Sequence, residues 1–582
     1  MLITPRPALF QSASLLLRRL SYFCATLLLI TTPASRAEIV HLRGGGLERE
    51  WNTFPEQARA DEWTFEFDGS GPTDALTLYL GQEDVKARWA VELNNKHLGY
   101  LKIEEDKLYA TFPIKPQPGK NQLRVFHKSG RDVDDIRIGP IHVHPTDAPR
   151  TSLRISLREN GQPTAGRITV VDQAGYLSPM TIQSNDRLAV RDGVVYTLDG
   201  EAEIPLAPGT YTVYAGRGFE YSLEEKTFHI GDRPQAHTFK LTREVDTRGL
   251  ISCDTHVHTV THSGHGDCTL TERMISLAGE NIELAIATDH NKHIDYRAEM
   301  NRLEIDQFTA VTGNEYTTRT GHFNLFPLDP KAKPQTYIGP DWQKVMECVK
   351  ASGATISILN HGEDIHANWR PFAPENHDRQ KGISRKGYAY DFNAMEVLNS
   401  GATLNDPMLL IEDWFGLLRA GLKIAAIGCS DSHDVSNFIV GQGRTYIPIK
   451  DDAVHRININ EACEQILAGK SMVSYGLLCQ LKLDGNTAHV EVQAPSWLQA
   501  NRLQLFANGH AVFEESFKPT NKVTKIIPLK QLTEGFYVAV AHGPGVTGLY
   551  WPAAKPYQRR GANFTPYILG VSQVVRLTDS SE

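Results

Sequence analysis

Between residues 249 and 476, nearly every short apolar run ends in a histidine, an aspartate or a glutamate. Cys253-Asp254-Thr255-His256-Val257-His258 closes the first run, and Thr288-Asp289-His290 follows Leu284-Ala-Ile-Ala. Gly313-Asn314-Glu315 follows Phe308-Thr-Ala-Val, and His322 opens Gly321-His322-Phe323-Asn324. Asn360-His361 follows Ile356-Ser-Ile-Leu, and Ser430-Asp431-Ser432-His433 follows Ile424-Ala-Ala-Ile. Such runs read as buried strands, with Leu270–Gly279, Asp341–Ser352 and Pro407–Ala420 as helices between them. Strand–helix alternation over this length predicts a parallel barrel or a doubly wound sheet. In a parallel barrel the strand C-termini share one face, so these distant residues are expected to converge on one pocket.

The residue types fit metal chemistry. On an extended strand, side chains two apart point the same way, so His256 and His258 can grip one ion. Asp431 and His433 repeat the spacing, and Glu315 can bridge two ions. Imidazole and carboxylate without thiolate suit zinc, manganese or iron. Two or three such divalent ions would lower the pKa of water and clamp reacting oxygens, a design for hydrolysis. A lone histidine near a strand end is ordinarily a hydrogen-bonded structural residue; what carries weight is the repetition, in order, after each strand. Glu396, also at a strand end, is a candidate for support behind the ligands. Arg444 in Gly441-Gln-Gly-Arg444-Thr445 is a candidate partner for an anionic group, with a surface arginine as the alternative. His293, His366 and His377 carry less, and the last two are expected to be solvated in a polar, proline-containing loop.

The remainder organises around this segment. Arg18-Arg19, the apolar stretch Leu20–Ile30 and Ser35-Arg36-Ala37 read as an export signal over residues 1–37, which places the mature chain outside the cell or in a periplasm. Alternating strands predict a β-sandwich over 38–148, a second over 149–246 and a third over 478–582, flanking a metallohydrolase barrel at 247–477. A net charge of −8 over 582 residues gives no reason to expect nucleic acid, and no second apolar stretch of spanning length suggests stable membrane insertion. The β modules leave carbohydrate contact open as a role. No CxxC pair occurs, so a thiolate zinc site is not expected.

The run His256-Val-His258-Thr, followed by Ala287-Thr-Asp289-His290-Asn, resembles the opening of the PHP (polymerase and histidinol phosphatase) superfamily. Gly313-Asn-Glu315, Asn360-His361 and Ser430-Asp431-Ser-His433 fall where that superfamily's later motifs fall. Within it, the chain is similar to the CehA/McbA-like branch. The resemblance implies a distorted (β/α)7 TIM-like barrel with two or three metal ions. It implies His256, His258, Glu315 and Asp431 at a first ion, Glu315, His322 and His361 at a second, and His290 and His433 at a further position. The residue completing that position departs from the pattern; Asp267 is favoured over His265. His433 and Asp289 are the expected proton donors, with Arg444 on an anionic substrate. The resemblance implies a small-molecule substrate, phosphorylated or carrying a carbamate or ester. A phosphoesterase is the favoured reading, with a carbamate, ester or amide hydrolase as alternative and a non-catalytic glycan-binding protein as the alternative of another class.

Overall fold

The computed structural model describes residues 38–45, 54, 58, 61–69, 75–128, 133–146, 150–363, 369–450, 453–530, 532–556 and 564–577. The expected export signal and His366 lie outside them. The chain forms two compact units, Met1–Ala148 and Pro149–Glu582.

The first unit is built of two four-stranded antiparallel sheets. Its strands alternate, as in Leu76–Glu83, where Leu76, Leu78 and Leu80 enter the core beside Trp89 and Phe112. Trp89 donates its indole N–H to Asp134 at 2.8 Å, so the ring's one polar group is satisfied in the interior.

The second unit begins with two further sheets over residues 151–241, closed on Ile155, Ile168, Val213 and Phe239. It continues into the segment that carries the histidines. There Thr309–Thr312, Leu284–Ala287 and Ile251–Val257 pair in parallel. Ile251–Val257 then pairs antiparallel with Arg444–Ile447, which pairs with Met472–Tyr475. Tyr567–Val571, Gly535–Pro544 and Ala500–Ala507 extend the same sheet, which reaches ten strands. The C-terminal strands are thus continuous with the strands that carry the histidines. A second sheet of five strands holds Asn314–Thr318, Gly321–Phe326, Ile356–Leu359, Ala394–Asn399 and Ala425–Cys429.

This corrects the expected fold. The structure is 46% strand and 11% helix, and a (β/α)7 barrel is not what it forms. The physical reason is the connections. Only Gly313 separates Thr309–Thr312 from Asn314–Thr318, and Arg319-Thr320 turns that strand directly into Gly321–Phe326, leaving no room for a crossover helix. Both pairings of Gly321–Phe326 are therefore antiparallel. The parallel runs that remain are fully buried strands with helices on the outside. In Leu409–Arg419, Leu410, Ile411, Trp414, Phe415, Leu417 and Leu418 are buried, and Trp414 donates its indole N–H to the Ile424 carbonyl at 2.9 Å.

Leu270–Gly279 starts on a capping box, with the Thr269 side chain on the Glu272 amide and the Glu272 carboxylate on the Thr269 amide. Glu272 also receives Arg191 at 2.8 Å and Ser184 at 2.6 Å, which ties the helix to the preceding β-rich segment. Burial works against the Glu272 charge, but Arg191 and Ser184 outweigh it and hold the carboxyl at about 2, below the ordinary 4.5. A depressed folded-state pKa contributes stability that is complete above 4.5 and lost as pH falls toward 2. At about 1.4 kcal/mol per pH unit, the contribution is on the order of 3 kcal/mol. Glu272→Gln is expected to forfeit it at neutral pH and to flatten the acid limb of a urea-denaturation profile; an unchanged acid limb would show that the pair contributes nothing.

Candidate metal centre

Two isolated parallel bridges, Val257 with Ser432 and His290 with Glu315, link the ends of the two sheets. They bring together side chains that lie far apart in sequence. Glu315 is the hub and is buried. Its Oε1 lies 3.0 Å from His322 Nδ1, 3.4 Å from His256 Nε2 and 3.6 Å from His361 Nε2. Its Oε2 lies 3.6 Å from His258 Nε2 and against His290 Nδ1. Asp431 Oδ1 is 3.2 Å from His256 Nε2 and 3.3 Å from His258 Nε2. The His258 ring stacks on His433, with centroids 4.0 Å apart and planes within 13°. His361 and Asp431 both take positive φ, 28° and 52°, a backbone conformation non-glycine residues hold only where their surroundings impose it.

Each key imidazole has one nitrogen occupied from behind. His256 Nδ1 meets Glu396 Oε1 at 2.6 Å. His258 Nδ1 lies 3.1 Å from Ser263 Oγ, whose own proton goes to Asp289 Oδ1 at 2.8 Å. The serine oxygen is therefore the acceptor, and His258 donates. His433 Nδ1 donates to the Asp431 carbonyl at 2.9 Å. The opposite nitrogens, Nε2 of His256, His258 and His433, are buried and make no hydrogen bond among the described residues. A buried polar atom left unpaired costs roughly 1–3 kcal/mol. Three of them in one cluster, each aimed by a hydrogen bond at the far side of its ring, match how metal-ligating histidines are oriented.

Ligand atoms within 4.8 Å of one another form the sets His258–His290–His433, His256–His258–Glu315 and Glu315–His322–His361, with His256–Glu396–Cys429 behind them. The electrostatics sort the imidazoles. Burial disfavours charge on His256, yet Asp431, Glu396 and Glu315 outweigh it and hold its pKa well above the ordinary 6.5. Burial, then the neighbouring His433, pushes His258 well below that value. Burial likewise takes His433 down to about 4, against the pull of Asp431. His258 and His433 are therefore neutral at physiological pH, with a lone pair on Nε2. Metal binding releases protons, and His256 is where one would leave. The residues fit divalent ions. The cluster opens on a cleft of about 550 Å³, lined by His265, His290, Glu315, Thr317, Arg319, His322, His361, Asp431 and His433 among others.

Some expected residues lie elsewhere. Asp267 does not face the cluster: its Oδ2 accepts Arg191 at 2.6 Å and its Oδ1 accepts the Val435 amide at 2.8 Å. His265 takes that place, with its Nε2 3.4 Å from His290 Nε2 and its ring 4.4 Å from His433. Asp289 is buried, and its carboxylate is occupied by the Thr259 amide and hydroxyl, Ser263 and Tyr296. It supports His258 from behind and has no open side from which to exchange a proton with a substrate. Arg444 is fully buried away from the cleft, on the Gly441 and Glu280 carbonyls and on Glu220. His377 is buried as well, against the expectation of a solvated ring, and its Nδ1 meets Tyr390 Oη at 2.8 Å. His293 Nδ1 lies 3.2 Å from the Asp329 carbonyl. Glu396 is the support behind His256 and also accepts the His361 amide at 2.6 Å. Ser263 and Arg319 had no sequence signal, since neither sits in a ligand-type motif.

Glu220 anchors Arg444, Tyr446 and Arg243 in the interior. Glu220→Ala would strand the Arg444 charge. It is expected to lose roughly 3–5 kcal/mol of stability in urea denaturation with metal content per folded chain unchanged. A loss below about 1 kcal/mol would mean that Arg444 is not held by this pair.

No family model matches the chain, and no curated protein matches it. Among solved structures it is similar to a glycosyl hydrolase family 2 member from Bacteroides cellulosilyticus, at 10% identity over 90% of this chain and 89% of that one, with a TM-score of 0.16. It is similar to an FMN-binding beta-glucuronidase from Faecalibacterium prausnitzii, at 10% identity over 87% and 96%, with a TM-score of 0.18. It is also similar to a beta-D-mannosidase from Dictyoglomus thermophilum, at 8% identity over 87% and 82%, with a TM-score of 0.16. At these TM-scores the backbones do not superpose, and the likeness carries no argument about fold or activity. The resemblance to the PHP superfamily and its CehA/McbA-like branch finds no support: no family model matches, and the strands around the histidines do not form the (β/α)7 barrel it implies. That resemblance is withdrawn. The phosphoesterase reading and the carbamate, ester or amide alternative rested on it and are withdrawn with it, as are phosphorylated and carbamate substrates. The inert glycan-binding alternative is set aside too, because a cluster of buried, strongly perturbed ionisable groups opening on a cleft is the mark of a functional site.

Proposed function

We propose that this chain is a hydrolase of small molecules whose histidine–carboxylate cluster holds two or three divalent ions, zinc, manganese or iron. The observation that supports it is the trio of buried Nε2 atoms on His256, His258 and His433 that make no hydrogen bond among the described residues, two of them facing the Asp431 carboxylate. His256 and His258, with Glu315 and Asp431, would hold one ion. Glu315, His322 and His361 would hold a second, and His290, His433 and His265 would hold a third. Bound there, such ions would supply Lewis acidity and bring the pKa of water toward neutrality.

The chain's own groups set the site for that chemistry. Glu396 keeps the His256 proton at Nδ1, the Ser263–Asp289 pair keeps the His258 proton at Nδ1, and the Asp431 carbonyl does the same for His433. The lone pairs of His258 and His433 are thereby fixed toward one centre before anything binds, and His256 offers its own once its Nε2 proton has left. The cleft of about 550 Å³ is in the range that encloses a small molecule. Export across a membrane is part of the proposal, and the mature chain is expected to begin at Glu38.

Chelator-stripped protein reloaded with zinc or manganese is expected to bind two or three ions per chain. It is expected to hydrolyse a member of a chromogenic panel spanning oxygen- and nitrogen-linked leaving groups only when loaded. Less than one ion per wild-type chain, or equal hydrolysis in excess chelator, would overturn the reading.

A further inference from the structure

Arg319 sits at the tip of the hairpin that carries two of the proposed ligands, four residues after Glu315 and three before His322. The tip is held firmly. Thr318 Oγ1 donates to the Gly321 carbonyl at 2.7 Å and accepts the Thr320 amide at 3.2 Å. The Arg319 amide donates to the Ile338 carbonyl at 3.2 Å. The side chain is another matter. Arg319 is exposed and lines the cleft, and among the described residues no ion pair or side-chain hydrogen bond engages its guanidinium. Arginines elsewhere in this unit that reach a carboxylate take it, as Arg191 does with Asp267 and Arg379 with Asp413.

A backbone fixed at the rim and a cation left open make a recognition element. Among the described residues, the rest of the lining offers no second guanidinium and no ammonium: it is imidazoles, the Glu315 and Asp431 carboxylates, threonines and the half-exposed Ile338. We propose that Arg319 is a specificity-determining residue that pairs with a carboxylate on the substrate, while the bond to be cleaved lies at the histidine cluster. The planar fork of arginine matches a carboxylate with two parallel N–H···O bonds, which lysine cannot offer. The substrate class is thus a small molecule bearing a free carboxylate remote from its scissile bond. This rests on the preceding reading for the position of the cluster's chemistry.

The test uses the full-length, zinc-loaded chain and two probes of equal carbon number, succinate and butyrate, by isothermal titration. Wild type is expected to bind succinate roughly tenfold more tightly, and Arg319→Gln is expected to bind the two alike with its zinc content intact. Arg319→Lys is expected to recover only part of the difference. Retained discrimination in Arg319→Gln, or none in the loaded wild type, would overturn the proposal. Zinc content is measured in parallel, so a wild-type chain that takes up no zinc overturns the metal reading instead.

Discussion

Asp431→Asn is expected to abolish metal binding and, with it, turnover. The aspartate Oδ1 faces both His256 Nε2 and His258 Nε2, while Oδ2 accepts Asn399 Nδ2 at 3.1 Å. An amide preserves the shape but removes the negative charge that a cation between those imidazoles requires. Residues that only support a ligand typically cost 10–100-fold in metal affinity, on the order of 1.4–2.7 kcal/mol; a ligand itself should cost more. Asparagine is the right replacement because Asp431 has φ of 52°, which asparagine tolerates and alanine does not. The measurements are ions per chain and turnover, with the urea midpoint as a check that the variant folds. Full turnover by Asp431→Asn would contradict its assignment.

Metal is also expected to stabilise the folded chain by about 4 kcal/mol at a free concentration a thousandfold above Kd. The cluster without an ion is an expensive arrangement. Five imidazoles crowd the single Glu315 carboxylate, the His258 and His433 rings stack at 4.0 Å, and His256 is held charged in the interior. An ion binding the native state alone would relieve this and raise the unfolding temperature with concentration. Zinc titration followed by thermal unfolding reads the effect directly, and Asp431→Asn should show none of it. A wild-type unfolding temperature indifferent to zinc would mean the folded cluster does not select an ion.

Parts of this site can be read from the sequence because they depend on local periodicity. His256 lies in the strand Ile251–Val257 and His258 is the first residue past its end, still extended enough that both Nε2 atoms turn toward Asp431. The placement of His290, Glu315, His361 and His433 after apolar runs likewise reflects strands ending at a common rim. What periodicity does not contain is the pairing between distant segments. The resemblance implied a ligand shortly after His258 and favoured Asp267, but Arg191, which captures it, is 76 residues upstream in a separate β-rich segment. Arg444 reads as a rim cation from its glycine-rich surroundings, yet its partner Glu220 lies 224 residues away. The barrel expectation failed for a related reason. Glu315 through Phe326 alternates as one hairpin around Arg319-Thr320, and taking Glu315 as the end of a parallel strand hid the reversal. Ser263 supports His258 from a short helical turn that carries no ligand pattern at all.

The most direct measurement is anomalous scattering from zinc-soaked crystals, recorded at the zinc edge. Peaks are expected within about 2.0–2.1 Å of Nε2 on His256, His258 and His433, with Glu315 between two of them. Peaks confined to other parts of the chain, with those three nitrogens facing empty density at saturating zinc, would contradict the metal reading.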